Sequence, residues 1–403
     1  MIPETWIVVP TYWTFPTTAP GKELFAFDHP TPLDEEGTLA RTLESFRKLQ
    51  GKFNVLIIAG ACNPLIEAQI DDKIRQIVRP FIQDFPLYLA SPANLAALNA
   101  LLPEPILRLD TYGNIRNVQL ALPYLAGATS AVGIDDDEVI EIPDFVSRAT
   151  RFLGNTVDGV KVGGVAGPYF DSVGDYRVTS DESIAKNPNI FLKKNFFMNE
   201  ALRKAMTIPA GVEIVRSNVA FGGNMTMPRA TIARTCHDPY IPRGEDYDYV
   251  INAAMDGTSF FFQPGMWITH LPPGAAVGSQ AGDKASKLVS DIRRFIYFRE
   301  KTRIYRELYP RGPLEFLYLL PYPGIYLDSS FDLQKQGILA LDEKYPEYCQ
   351  VHSPEKLVED ATTVANLRAR EFFAYQEKWR HGLAQGAKNP KCAATIATFA
   401  VTK

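Results

Sequence analysis

Four consecutive acids, Asp135, Asp136, Asp137 and Glu138, end a short apolar run in "AVGIDDDEVIE" (131–141). Like charges gathered at a strand end repel one another, so water or a cation has to offset them. On an extended segment, residues two positions apart point to the same side. Asp135 and Asp137 could thus share one hard divalent cation, with Asp136 facing away. Acidic loops are also commonly just solvated, and the cluster alone leaves both readings open. A second acidic group, Glu245, Asp246 and Asp248 in "PRGEDYDYVINAAMDG" (242–257), complements the positive end of a helix.

These acids need elements to position them. "TWIVVPTYW" (5–13) is a β-rich apolar run ended by Pro10 and Thr11. Leu39, Leu43 and Phe46 recur at helical spacing within 34–50, with acids in the first turn. "FNVLIIAG" (53–60) is continuously apolar, as in a strand buried on both faces. A helix over 67–82, a strand over 87–90, a helix over 113–126 and a strand over 130–134 follow. A further helix over 142–153 has Asp144 at its N-cap. This alternation predicts an α/β fold, a mainly parallel sheet flanked by helices. Such sheets bind ligands beyond the carboxyl ends of their strands. Pro10–Tyr12, Gly60–Asn63 and Asp135–Glu138 all fall at that edge.

Six segments in order carry a resemblance. They are Pro10-Thr11-Tyr12, "GNIRNVQLAL" (113–122), "GIDDDE", "FGGNMTMPR" (221–229), the "GED" of 244–246 and "WITHLPPG" (267–274). Over residues 5–275 this order resembles the GT-A glycosyltransferases, in the style of the large inverting family 2. The resemblance implies a Rossmann-like nucleotide-diphospho-sugar transferase fold. It lays Pro10, Thr11 and Tyr12 against the nucleotide base and makes Asp135-Asp136-Asp137 the Asp-x-Asp. Asp137 and His270 become direct metal ligands, with Asp135 binding the metal through water or holding the ribose. Carboxylates plus one imidazole suit Mn2+ or Mg2+, and the nitrogen favours Mn2+. Asp246 becomes the general base that deprotonates an acceptor hydroxyl. Gly222, Gly223 and Asn224 shape the donor-sugar and acceptor side, together with Glu245, and the two glycines let the backbone approach the ligand. Arg116 reaches the phosphates or orients Asp135, and Arg243 covers the diphosphate. Each assignment has a plainer counterpart: a packed histidine at 270, a helix–sheet ion pair at Arg116, a surface cation at Arg243. The chain departs from the family at "LIIAGACN", where no acid ends the second strand. Backbone around Ala59–Ala61 or the Asn63 side chain would hold the base instead. The long loop containing "FDHPTPLDEEG" (27–37) either closes over donor or acceptor or is a surface insertion.

The 403 residues, 46% hydrophobic with a net charge of −4, fit one large domain or two and give no global electrostatic grip on nucleic acid. The four cysteines are far apart with no CxxC pair, so reduced thiols in a cytoplasmic protein are expected. Neither a signal peptide nor a membrane-spanning run is legible. The organisation expected is a catalytic domain over 1–275, with a nucleotide-sugar half (1–140) and an acceptor half (141–275), then a mostly helical extension over 276–403. A small-residue linker, "GAAVGSQAGDK" (274–284), opens that extension. Within it, 283–308 forms a helix with Leu288, Ile292, Phe295 and Phe298 on one side and eight Lys or Arg residues. That helix either meets an anionic membrane surface (the inner face, peripherally) or a phosphorylated acceptor, or packs on its own domain with a solvated charged face. The aromatic stretch at 316–331 either shapes an acceptor groove or fills the core. The partners expected are a UDP- or GDP-sugar donor and an acceptor hydroxyl on a saccharide, a lipid-linked sugar or a small molecule. Two alternatives stand beside the inverting transferase: a retaining GT-A enzyme acting on a small phosphorylated acceptor, and a non-catalytic nucleotide- or sugar-binding protein of the same fold.

Overall fold

The computed structural model describes residues 5–25, 27, 30–178, 182–273, 285–310 and 321–402. A ten-stranded sheet forms its centre. Its main path runs 215–216, 259–262, 160–166, 225–228, 130–133, 5–14, 53–61 and 87–90. The strands Thr5–Thr14, Phe53–Ala61, Leu87–Ala90 and Ser130–Gly133 are mutually parallel, and Met225–Pro228 enters antiparallel beside the last of them. The chain builds outward from the first strand on one side, then crosses to its other side to lay down Ser130–Gly133. The carboxyl ends of these two strands flank the crevice where such sheets bind ligands.

The first strand is buried on both faces. Ile7, Val9 and Trp13 enter one core cluster, while Trp6, Val8 and Tyr12 enter the other, as a two-residue period requires. Pro10 lies inside this strand although it has no N–H. The Val8 carbonyl accepts from Ile134 N at 3.1 Å, so the polar atoms of residue 10 face that same side, beyond Gly133 where the neighbour's pairing ends. No ladder bond is lost there.

Several elements differ from their sequence expectation. The helix expected over 34–50 is Leu39–Phe46, and the acids expected in its first turn, Asp34, Glu35 and Glu36, lie outside it. Asp34 instead accepts from the Thr17 N–H at 2.9 Å and the Thr17 hydroxyl at 2.6 Å, and Gly37 turns the chain at φ +70°. The helix at Glu67–Val78 stops where Pro80 imposes a tighter turn over Arg79–Phe81. Asp144 occupies its N-cap position, but its side chain makes no cap bond and pairs with Arg148 at 2.9 Å.

One face of the sheet packs on Leu39–Phe46, Glu67–Val78 and Phe145–Thr150. The other packs on Tyr112–Leu125 and on the C-terminal helices, so Trp6, Val8 and Ile58 share one continuous core with Phe295, Phe372 and Trp379. The linker at 274–284 and residues 316–320 of the aromatic stretch lie outside the described residues. The basic helix, Ser286–Leu308, packs on its own domain, with Leu288, Ile292, Phe295 and Phe298 buried. Its charged face is not simply solvated, because Asp291, Arg294 and Lys301 are buried too. The C-terminal tail, which has no legible role in the sequence, forms the helix Pro390–Ala397 and then pairs with the edge strand. Leu89 N donates to Phe399 O and Val401 N to Leu87 O, each at 2.9 Å. This covers backbone groups that an edge otherwise leaves unpaired.

Candidate active site

A cleft of about 380 Å³ opens at the crevice between the first strand and Ser130–Gly133. Tyr12, Arg116, Asp135, Asp136, Asp137, Arg243, Glu245, Asp246 and His270 all line it. Residues spread over more than half the chain therefore face one space.

Asp136 and Asp137 lie in a turn, closed by Glu138 N donating to Asp135 O at 3.2 Å. The side-to-side alternation of an extended segment does not apply to a turn, and this corrects two expectations. Asp136 does not face away: its Oδ2 accepts from the buried Thr11 hydroxyl at 2.5 Å. Burial, with added repulsion from Asp137 and Asp135, lifts its carboxyl to about 7 despite that hydrogen bond. Asp135 does not point freely to a shared cation. Arg116 holds it by two contacts, Nη1–Oδ1 at 2.6 Å and Nη2–Oδ2 at 2.9 Å. Glu138, fully buried beneath the turn, accepts from Asp135 N at 2.7 Å.

A small second sheet brings His270 to the acids. Ile268–His270 pairs antiparallel with Glu138–Val139, setting His270 opposite Glu138. His270 Nε2 then sits 3.2 Å from Asp137 Oδ2. Burial opposes protonation of this imidazole, but the bond to Asp137 prevails and raises its pKa. Among the described residues no three His, Cys, Asp or Glu side chains converge as a complete metal cage. A carboxylate and an imidazole side by side do fit a hard divalent ion that fills its remaining positions with water and phosphate oxygens.

Arg116 is the hub of the cleft wall. Buried on the helix Tyr112–Leu125, it joins Asp135 to Glu245, whose Oε1 accepts from Nε at 3.3 Å. Its neighbour Asn117 faces the other way and locks the His237 backbone, accepting from His237 N at 2.7 Å and donating to its carbonyl at 3.0 Å. His237 Nδ1 in turn contacts Glu245 O at 3.0 Å. Burial first, and then the charge on Arg116, lowers this histidine to about 3, so it stays neutral. The "RN" pair thus fixes both the acidic turn and the start of the helix Glu245–Met255.

Asp246 stands on the first turn of that helix. Its Oδ1 accepts from Tyr247 N at 2.7 Å and its Oδ2 from Gly222 N at 3.3 Å. Burial, reinforced by the charge on Glu245, lifts its carboxyl to about 7. Gly244 precedes the helix at φ +76°, a backbone conformation that favours glycine, and a Cβ there would press on the Arg294 guanidinium, 2.5 Å from Nη1.

Other expected site residues have structural duties. Asn63 does not line the cleft: its carbonyl oxygen accepts from Leu65 N and its amide donates to Lys22 O, both at 2.9 Å. Asn224 is fully buried and donates to Met266 O at 2.7 Å and Pro168 O at 3.2 Å, tying two loops together. Gly222 and Gly223 are small for the protein's own side chains: a Cβ at Gly222 would meet the Arg116 guanidinium, and one at Gly223 the Glu138 carboxylate. Pro10 shapes the strand rather than the cleft. The loop of 14–37 is anchored, with Leu24 N and Phe25 N on Cys62 O at 2.8 and 2.9 Å. Its Phe27 ring packs on Tyr12 and Tyr112, at 4.8 and 5.4 Å between centroids. Asp28 and His29 lie outside the described residues.

Sequence reading did not single out Lys194 and Tyr169, which line the cleft together with Arg294 of the basic helix and Tyr322 of the aromatic stretch. Arg294 had a signal, as one of the cations of the basic helix, but its spacing cannot say which cations turn inward. No helix among the described residues is long and apolar enough to cross a membrane.

No protein-family model matches the chain, and no curated protein matches it. Solved structures similar to it include a mannosyltransferase from Pyrobaculum calidifontis in complex with GDP-Man and Mn2+. That likeness has 12% identity over 92% of this chain and 88% of the other, with a TM-score of 0.45. A mycobacterial protein shares 13% identity over 72% of this chain and 74% of its own, at a TM-score of 0.36. GalNAc-T7 with UDP, GalNAc and Mn2+ shares 13% identity over 88% of this chain, at a TM-score of 0.39; the chain spans 58% of that protein.

Proposed function

We propose that this chain is a metal-dependent glycosyltransferase that moves a sugar from a UDP- or GDP-sugar to an acceptor hydroxyl, inverting by single displacement with Asp246 as general base. One observation carries the reading: Asp246 shares a cleft with the Asp135–Asp137 turn and His270, and among the described residues it accepts from two backbone N–H groups. Its neighbour Glu245 pairs with Arg116, whereas burial and the charge on Glu245 keep the Asp246 carboxyl near 7, suited to accepting a hydroxyl proton at neutral pH. Asp137 and His270 would hold Mn2+ or Mg2+, which when bound neutralises charge on a departing nucleoside diphosphate. Arg116 keeps Asp135 oriented, Thr11 keeps Asp136 in place, and Tyr12 offers a ring face at the end of the first strand.

The test is a thermal-shift series on the full chain with UDP, GDP and their sugar conjugates, with and without Mn2+. At 100 times Kd a nucleotide adds about 2.7 kcal/mol of stability, a shift of several degrees. If no nucleotide stabilises the chain even with metal, the reading fails. Asp246→Asn should lower turnover by about 10²- to 10⁴-fold while leaving the nucleotide shift intact. Retention at the anomeric carbon, read by NMR of the product, would rule out single displacement.

A further inference from the structure

Lys194, Arg243 and Arg294 form a basic wall in the cleft, drawn from three separate parts of the chain. One carboxylate, Asp291, stands behind them: its Oδ2 is 2.7 Å from Lys194 Nζ and its Oδ1 2.8 Å from Arg294 Nη2. Burial opposes ionisation of Asp291, yet Arg294 and Lys194 hold its carboxyl below the usual range, so it stays charged. Among the described residues, Lys194 and Arg294 thus share one hydrogen-bonded carboxylate. Arg294 is only 6% exposed, and its Nη2 donates to the Tyr322 hydroxyl at 3.0 Å. Its Nε–H is buried and meets no acceptor among the described residues. A buried donor without an acceptor is costly, and an oxygen of a ligand reaching it would offset that cost.

The wall adjoins the general base, not the metal-side acids. Arg294 lies against Gly244, two residues before Asp246, while Asp135 is held by Arg116 and Asp137 by His270. We propose that the acceptor carries an anionic group, a phosphate or carboxylate, bound by Arg294, Lys194 and Arg243 so that its hydroxyl lies beside Asp246. The inference rests on the glycosyltransferase reading. A planar guanidinium with a spare N–H matches two oxygens of such a group, and the two neighbouring cations add charge without fixing its identity.

The experiment uses the full chain saturated with nucleoside diphosphate and Mn2+, so that the donor's phosphate positions are filled. Glycerol phosphate and glycerate are then titrated against glycerol by calorimetry. An anionic probe should bind saturably and glycerol should not. Lys194→Met and Arg294→Met should each weaken that binding about 10- to 100-fold, with the nucleotide shift unchanged. Lys194→Met leaves the Arg294–Asp291 pair intact, so it remains informative if Arg294→Met does not fold. If the nucleotide binds but neither anion does, or if both variants bind it normally, the proposal is wrong and the transferase reading stands. The same holds if a nucleotide-linked hexuronate, and no separate anion, needs Arg294: the charge then belongs to the donor sugar. Failure of the nucleotide itself to bind overturns both.

Discussion

Asp246 and Asp248 stand two residues apart on the helix Glu245–Met255, and their surroundings are opposite. Asp248 turns into the core, where Lys301 contacts it and Asn252 Nδ2 donates to its Oδ2 at 2.9 Å. Lys301 is itself fully buried and also bonds Asp238 at 3.1 Å and Asn252 Oδ1 at 2.9 Å, under the Phe372 ring at 4.4 Å. Tyr297 completes this group by donating to Asp238 at 2.7 Å. Asp246 turns into the cleft and, among the described residues, receives hydrogen bonds from backbone N–H groups. Burial raises both carboxyls, Asp248 to about 6 and Asp246 to about 7, so what separates them is their partners: Lys301 and Asn252 tie Asp248 into the core, while Asp246 faces the cleft. The contrast separates a structural acid from the proposed base on a single helical turn.

The largest effect should come from removing the core cation. Lys301→Met leaves Asp238 and Asp248 buried without their partner and should cost about 3–5 kcal/mol in chemical denaturation. A loss below 1 kcal/mol would mean that the buried cluster contributes little. The opposite sign is expected next door. The Asp246 carboxyl titrates at about 7 in the fold against 3.8 for the ordinary group, so its stabilising share is complete below pH 4 and lost as pH rises through 7. Asp246→Asn should therefore gain stability on the parent as pH rises from 4 to 7, and keep the gain above 7. We expect about 1–2 kcal/mol, less than the full shift implies because the carboxyl borders the open cleft. A destabilised Asp246→Asn at pH 8 would break the contrast. The smallest effect is a titration: turnover should fall as pH drops through about 7, with an acid limb one decade per unit. Asp248→Asn should leave that limb in place, and its displacement would tie both acids to the chemistry.

Much of the site is legible residue by residue. The apolar runs at 5–13 and 53–60 announce central strands because both faces must be apolar there, and the acids at 135–138 and 245–246 are conspicuous at element ends. Local rules fail where a neighbour distant in sequence supplies the reason. Gly223 is small because Glu138 lies against it, and Asn63 caps a turn instead of facing a ligand. The tail at 399–401 has no local signal, since its pairing with Leu87–Ala90 depends on a strand some 310 residues earlier.

The sequence by itself determined the α/β alternation, the edge at which a ligand site should lie, and the types of group present: clustered carboxylates, one late histidine and a helix-borne arginine. These follow from periodicity and charge, which act over a few residues. Only the tertiary structure decided which groups share the cleft and which are neutralised. Arg116 reaches Asp135 and Glu245, Lys301 takes Asp238 and Asp248, and Arg294 turns inward with a donor to spare, because burial and ion pairing depend on distance in space and not along the chain.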